Sequence, residues 1–160
     1  MKKEIYIYGT GPHALKIYNS LMLLDYKVCG FIDDNIDAKS PVKQHKVFVF
    51  ESLNFKENQK NIIIAIGNNR IRKKVFDKLK IEGWNIDTII HPSAIIAEQT
   101  IIGTGIFIAA GVIVESNVII EDGTIIDIGV IIDHNCYIEN FLHLKTGTVY
   151  VPYTQVTNSL

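Results

Sequence analysis

The sequence predicts an α/β domain followed by a parallel β-helix, and three observations carry that prediction. From Ile90 onward, aliphatic residues recur every six positions in one phase for ten hexads. Before Ile90, short apolar runs alternate with helical stripes, the pattern of strands and helices in a small parallel sheet. Glycine, aspartate and asparagine collect at the carboxyl ends of those runs, where such sheets bind ligands. Two domains are expected, residues 1–88 and 89–160, joined near Asp87 to His91 without a flexible linker.

In chain order, Ile5-Tyr6-Ile7-Tyr8 is an apolar run closed by Gly9, which suits a buried parallel strand. Leu15, Tyr18 and Met22, with Ala14, Ile17 and Leu21 beside them, make the stripe of a first helix. Pro12 suits its first turn, where a missing N–H costs nothing. Val28 to Ile32 reads as a second strand, with Asp33-Asp34-Asn35 at its end, and Val47-Phe48-Val49 as a third. Asn61 to Ile66 is a strand closed by Gly67, and Asn69 to Glu82 is a helix with Ile71, Val75, Phe76 and Leu79 on one face. Trp84 to Ile90 leads into the repeat.

The repeat has aliphatic first positions at Ile90, Ile96, Ile102, Ile108, Val114, Ile120, Ile126, Ile132, Ile138 and Leu144. Its fifth positions, from Ala94 to Thr148, are small or apolar. A period of six fits neither a helix nor an alternating strand. It is the pattern of a prism whose faces are short strands and whose corners are turns. Both sets of residues point inward and stack from coil to coil. Gly105, Gly111, Gly123, Gly129 and Gly147 hold the fourth position, where a corner needs a permissive backbone. His91-Pro92 marks the start of the first coil. After Val149 the phase is expected to lapse, so that Tyr150 to Leu160 lies outside the repeat and the prism ends at about three coils.

Composition narrows the function classes. A 48% hydrophobic share and a net charge of −1 describe a globular chain, and no basic cluster points to nucleic acid. Apolar stretches are interrupted too often to span a membrane, and the first run is too short for a signal-peptide core. Cys29 and Cys136 read as small core residues in a reducing compartment, so a cytoplasmic location is expected.

Two motifs carry chemistry. Gly9-Thr10-Gly11-Pro12-His13-Ala14 matches a loose G-x-G-x-x-A fingerprint, with Asp33 as its acidic residue. The match fits a phosphate or nucleotide site, an NAD(P) site, or a tight strand-to-helix turn. His134 sits on the outside of the prism between Asp133 and Asn135, and is either a general base or a solvated surface histidine. His143 follows nine residues later, half an eighteen-residue coil away, so a site using both needs two neighbouring subunits. No group of residues has metal-ligand spacing, and no metal site is expected.

The chain resembles the sugar O-acyltransferase family that includes sialic acid O-acetyltransferases and N-acetyltransferases acting on UDP-4-amino-sugars. The resemblance runs through Ile7-Tyr8-Gly9 to His13, Phe31-Ile32-Asp33-Asp34, Ala65-Ile66-Gly67-Asn68-Asn69 with Arg70 and Arg72, Ile90-His91-Pro92-Ser93-Ala94, and the His134/His143 pair. It implies a Rossmann-like domain, then a left-handed β-helix in a homotrimer, using acetyl-CoA to acetylate a nucleotide-activated amino-sugar or sialic acid. It implies His134 as the catalytic base and His143 as a donor near the thioester carbonyl. Gly9, Gly11, His13, Asp33, Asp34, Gly67 and Asn68 would hold the nucleotide-sugar. Asn135 stands where the family usually has an acid, and can orient the ring. Asp127 stands where the family commonly has asparagine and is assigned to the substrate. Fewer coils than the family has would leave the alternative of a non-catalytic nucleotide-sugar-binding or assembly protein. A trimer would bury outer apolar residues such as Phe107, Ile113 and Ile119.

Overall fold

The structure is a computed structural model that describes residues 2–52 and 61–158. The chain divides into two compact units, Met1–Asp87 and Thr88–Leu160.

In the first unit, β1 (Glu4–Tyr8), β2 (Lys27–Ile32), β3 (Val47–Phe48), β4 (Asn61–Ile64) and β5 (Asn85–Ile86) form a parallel sheet ordered β3-β2-β1-β4-β5. Ile5, Ile7, Phe31, Ile32, Ile62 and Ile63 are wholly buried, which is why these strands read as continuous apolar runs. Helix α1 (Pro12–Leu23) packs on β1 and β2, burying Ala14, Ile17 and Leu21. Helix α2 (Asn69–Ile81) packs on β4 and β5, burying Val75, Phe76 and Leu79. Strand β4 stops at Ile64, two residues short of the expected end, which frees Ala65-Ile66-Gly67 as a loop. The Trp84–Ile90 segment is more than a lead-in, since Asn85–Ile86 adds an edge strand beside β4. At two residues, its apolar pattern is too short to be read.

The described residues of the second unit form three four-stranded parallel sheets, one for each face of a left-handed β-helix. Register shows the coil length directly. Ile95, Ile113, Ile131 and Val149 lie in one outward column, and Ile96, Val114, Ile132 and Tyr150 in the inward column beside it. The first and fifth hexad positions make the core, with Ile108, Val112, Val118, Ile126, Val130 and Ile138 inaccessible or nearly so. Every fourth position from Gly105 to Tyr153 has φ between 53° and 70°. The left-handed corner is thus a property of the position, and glycine is only its commonest occupant. Asn117 and Asn135 tolerate it, whereas a bulky residue is strained by about 1–2 kcal/mol.

Two expectations are corrected here. The repeat does not lapse at Val149, because Val149–Tyr150 and Gln155–Val156 pair with Ile131–Ile132 and Tyr137–Ile138. Tyr150, Tyr153, Thr154 and Val156 keep the phase; the loss of aliphatic and glycine letters hid it. Ser159 and Leu160 lie outside the described residues. Phe107 is not left for a partner either, being 1% exposed within the single chain. Its column neighbours Ile89 and Ile125 are equally buried.

Candidate functional site

In the order β3-β2-β1-β4-β5 the sheet changes winding direction between β1 and β4, and a cavity of about 380 Å³ opens at their carboxyl ends. Tyr8, Gly9, Thr10, Gly11, His13, Asp33, Asp34, Ile66 and Gly67 line it, along with Ile71 and Val75 of α2. The sheet therefore gathers six of the expected binding residues: Gly9, Gly11, His13, Asp33, Asp34 and Gly67. Asn68 is not among them. Its Oδ1 accepts the Ile71 N–H at 3.0 Å and caps α2, the ordinary use of an asparagine at that place.

The two glycines of the loop differ in kind. Gly9 has φ of +112°, and a Cβ there would meet the Ala65 carbonyl oxygen at 3.0 Å, so the fold itself needs glycine. Gly11 has an ordinary φ of −73°, and a Cβ there would meet nothing within 4 Å. It begins α1 without a side-chain cap, where backbone can approach an anion closely.

Two aspartates are fixed by hydroxyls from β1 and its loop. Thr10 Oγ1 donates to Asp33 Oδ2 at 2.7 Å, while Asp33 Oδ1 accepts the Asn35 N–H at 3.0 Å. Tyr8 donates its hydroxyl to Asp34 Oδ1 at 2.7 Å. Burial, then that bond, pushes the Tyr8 phenol well above its usual range, so it remains a donor. Asp34 is exposed at the cavity rim. Below the loop, Arg72 is 1% exposed and donates to the carbonyls of Ile66 and Gly67 at 2.8 and 3.0 Å and to Asn69 Oδ1 at 3.0 Å. Burial pulls its pKa down to about 10, which still leaves it protonated at neutral pH.

On the prism, His134 lies in the corner between Ile131–Ile132 and Tyr137–Ile138. Its N–H donates to Asp133 Oδ1 at 2.7 Å, and its Nδ1 lies 2.8 Å from the Asn135 amide. An amide can present NH₂ or oxygen at that place by turning over. The oxygen accepts a proton from Nδ1 and leaves the Nε2 lone pair outward, as a base requires; the NH₂ fixes the opposite tautomer. His143 points outward on a different face, in the column of Ile125. Lys145 Nζ lies 3.1 Å from its Nδ1, and because an ammonium only donates, the proton sits on Nε2. That nitrogen is 3.6 Å from Asp127 Oδ2. Asp127 is thus placed in the prism beside His143, and is buried. Within one chain His134 and His143 occupy different faces.

Comparison with known proteins places this geometry. The sequence model of the PglD N-terminal domain matches residues 4–79. The structure of PerB from Caulobacter crescentus, in complex with CoA and GDP-perosamine, is 30% identical with a TM-score of 0.77, covering 88% of this chain and 67% of that one. The chain belongs to the sugar acetyltransferase family. A perosamine N-acetyltransferase mutant from the same organism superposes with a TM-score of 0.86 at 25% identity, over 95% of this chain and 73% of that one. The acetyltransferase domain of PglB from Neisseria gonorrhoeae shares the fold, with a TM-score of 0.85 at 23% identity over 97% and 77%. Within this family's shared architecture, Thr10, Tyr8, Arg72 and Tyr153 are this chain's additions to the candidate site, and sequence reading missed them. Thr and Tyr next to glycine carry no motif, and an arginine among Arg70, Lys73 and Lys74 looks like part of a solvated face. Among the described residues no helix is long and apolar enough to cross a membrane.

Proposed function

We propose that the protein transfers acetyl from acetyl-CoA to the amine of a nucleotide-activated amino-sugar. The carrying observation is the cavity at the β1/β4 crossing, with an unhindered Gly11 at the start of α1 and two pinned aspartates at its rim. Related proteins whose structures hold CoA and GDP-perosamine support the same reading. In it, the Gly9–His13 loop and Gly67 hold the diphosphate, and Asp33 and Asp34 receive donors from the base or ribose. His134 Nε2 takes a proton from the attacking amine as the C–N bond forms and the thioester C–S bond breaks. The proton then passes to the departing CoA thiolate, which leaves the imidazole neutral for the next cycle. His143 supplies an N–H toward the developing oxyanion, with Asp127 near it. An amine acceptor is favoured over the hydroxyl of a sialic acid because the N-acetyltransferases are the relatives found.

Parallel titration with acetyl-CoA, GDP- and UDP-4-amino-sugars and NAD tests the proposal, followed by a steady-state transfer assay. Nucleotide-sugar binding with acetyl transfer is expected. Nucleotide-sugar binding without acetyl-CoA binding would instead identify a binding protein, and NAD binding alone an oxidoreductase.

The glycine pair gives a sharper expectation. Gly11→Ala should leave the unfolding temperature unchanged yet weaken nucleotide-sugar affinity about tenfold or more, a loss of about 1.4 kcal/mol. Gly9→Ala should destabilise the fold by about 1–3 kcal/mol, from its forced φ and the Ala65 contact. Thermal unfolding and calorimetric titration separate the two; equal behaviour of both variants would remove the ligand explanation for Gly11.

The reading also needs a trimer, since His134 and His143 lie on different faces of one prism. Ile95, Ile101 and Val149 are 66%, 63% and 58% exposed, and with Ile113, Ile119 and Ile131 they make outward aliphatic columns on two faces. Aligned apolar columns of this kind are surfaces that subunits bury. Sedimentation at micromolar concentration should give three chains. A stable monomer would end both the trimer and the shared histidine site.

A further inference from the structure

The left-handed corners hold two aromatic residues, Phe141 and Tyr153, and the contrast between them is informative. Phe141, at φ 53°, is 7% exposed, and its ring occupies the space above Gly123 on the coil below. A Cβ on Gly123 would meet that ring at 2.3 Å. The strain at Phe141 is thus compensated by packing. Tyr153, at φ 62°, is 72% exposed, and nothing comparable compensates it. Asn117 and Asn135 stand in the same column, one and two coils earlier, so asparagine fits this corner with less strain. What the Tyr153 ring does contact is His134. The two ring centroids are 5.4 Å apart, with the planes at 86°, and the Tyr153 N–H donates to the His134 carbonyl at 3.2 Å.

We infer that Tyr153 is a specificity-determining residue for the acceptor: its exposed ring forms an aromatic wall beside His134 against which the apolar C–H face of the acceptor's sugar ring rests. This rests on the reading of His134 as the base. Uncompensated strain at an exposed aromatic next to a reacting group is the circumstance in which strain points to function. The chemistry suits a pyranose. Its axial C–H bonds give one face an apolar surface, and a tyrosine ring meets that face at small conformational cost while its hydroxyl stays in water. A sugar lying on Tyr153 would present its amine toward His134, one coil below. The nucleotide has no part in this contact, so the wall discriminates between sugars and not between bases.

The test compares the unmutated protein with Tyr153→Asn and Tyr153→Phe. Tyr153→Asn should raise the unfolding temperature by about 2–4 °C, because strain is relieved and no packing is lost. Its affinity for GDP-perosamine or a UDP-4-amino-sugar should fall about tenfold, with affinity for GDP or UDP alone unchanged. KM for the acceptor should rise while KM for acetyl-CoA stays constant, and Tyr153→Phe should behave like the unmutated protein. Three results would overturn the inference: a lower unfolding temperature in Tyr153→Asn, which makes the ring structural; a weakened oligomer, which makes it a subunit contact; or equal nucleotide-sugar affinity. Absence of nucleotide-sugar binding by the unmutated protein would overturn the proposed function itself, and is read before any variant is made.

Discussion

His134→Ala should lower acetyl transfer by about two to four orders of magnitude, the usual contribution of a positioned general base. Acetyl-CoA affinity should hardly change, because the imidazole acts on the acceptor's proton and not on the cofactor's body. His143→Ala should cost about two to three orders, as losing one oxyanion donor does. The environment of His134 makes a further, opposite-signed expectation. Asn135 meets Nδ1 at 2.8 Å with an amide that can turn either way, so some molecules hold the tautomer that cannot act as a base. Asn135→Asp removes that ambiguity: a carboxylate only accepts, which fixes the proton on Nδ1 and stabilises the imidazolium formed during transfer. Aspartate also tolerates the left-handed corner at φ 59°, which glutamate does less well. Asn135→Asp should therefore raise kcat, most clearly near neutral pH. Steady-state transfer, with oligomeric state verified for each variant, makes the measurement. Full activity in His134→Ala would remove the base from this position, and a fall in Asn135→Asp would mean that the amide serves something other than the ring.

The hexad was legible because a six-residue period has one common physical origin and the interior of a prism accepts only apolar side chains. It stopped being legible where the letters changed but the geometry did not. Tyr150 fills an inward position that Val114 and Ile132 fill elsewhere, and Tyr153 occupies a corner that glycine or asparagine holds on the coils before it. The winding of the sheet was readable from runs ending in Gly9, Asp33 and Gly67, since those ends converge on one cavity. Asn68 read as a ligand because a capping asparagine and a binding asparagine have the same sequence context; only the bond to the Ile71 N–H separates them. Thr10 and Tyr8 were silent for a related reason. Their roles depend on which carboxylate the fold brings within 2.7 Å, a long-range fact that no local pattern encodes.

Arg72 carries the largest stability effect expected in the first unit. A helix stripe assigns it to solvent, yet it is the largest fully buried side chain, with its guanidinium under the Ile66-Gly67 loop. Its fork serves three acceptors at once, which a single ammonium at the same place cannot do with the same geometry. Arg72→Ala should cost about 3–5 kcal/mol, from carbonyls left without their donor and from the space vacated. Arg72→Leu fills most of that space and still removes the donors, so it should recover only the cavity part, about 1–2 kcal/mol. Arg72→Lys should fall between Leu and the unmutated protein. The same series reports on function, because the carbonyls Arg72 holds belong to the wall of the cavity. Loss of the fork should loosen that wall and weaken nucleotide-sugar binding even where the variant remains folded, while acetyl-CoA binding on the prism stays unchanged. Denaturant unfolding with parallel titrations gives both quantities. If Arg72→Leu is as stable as the unmutated protein and binds nucleotide-sugar as tightly, the carbonyls are served by water and the guanidinium does not hold the loop.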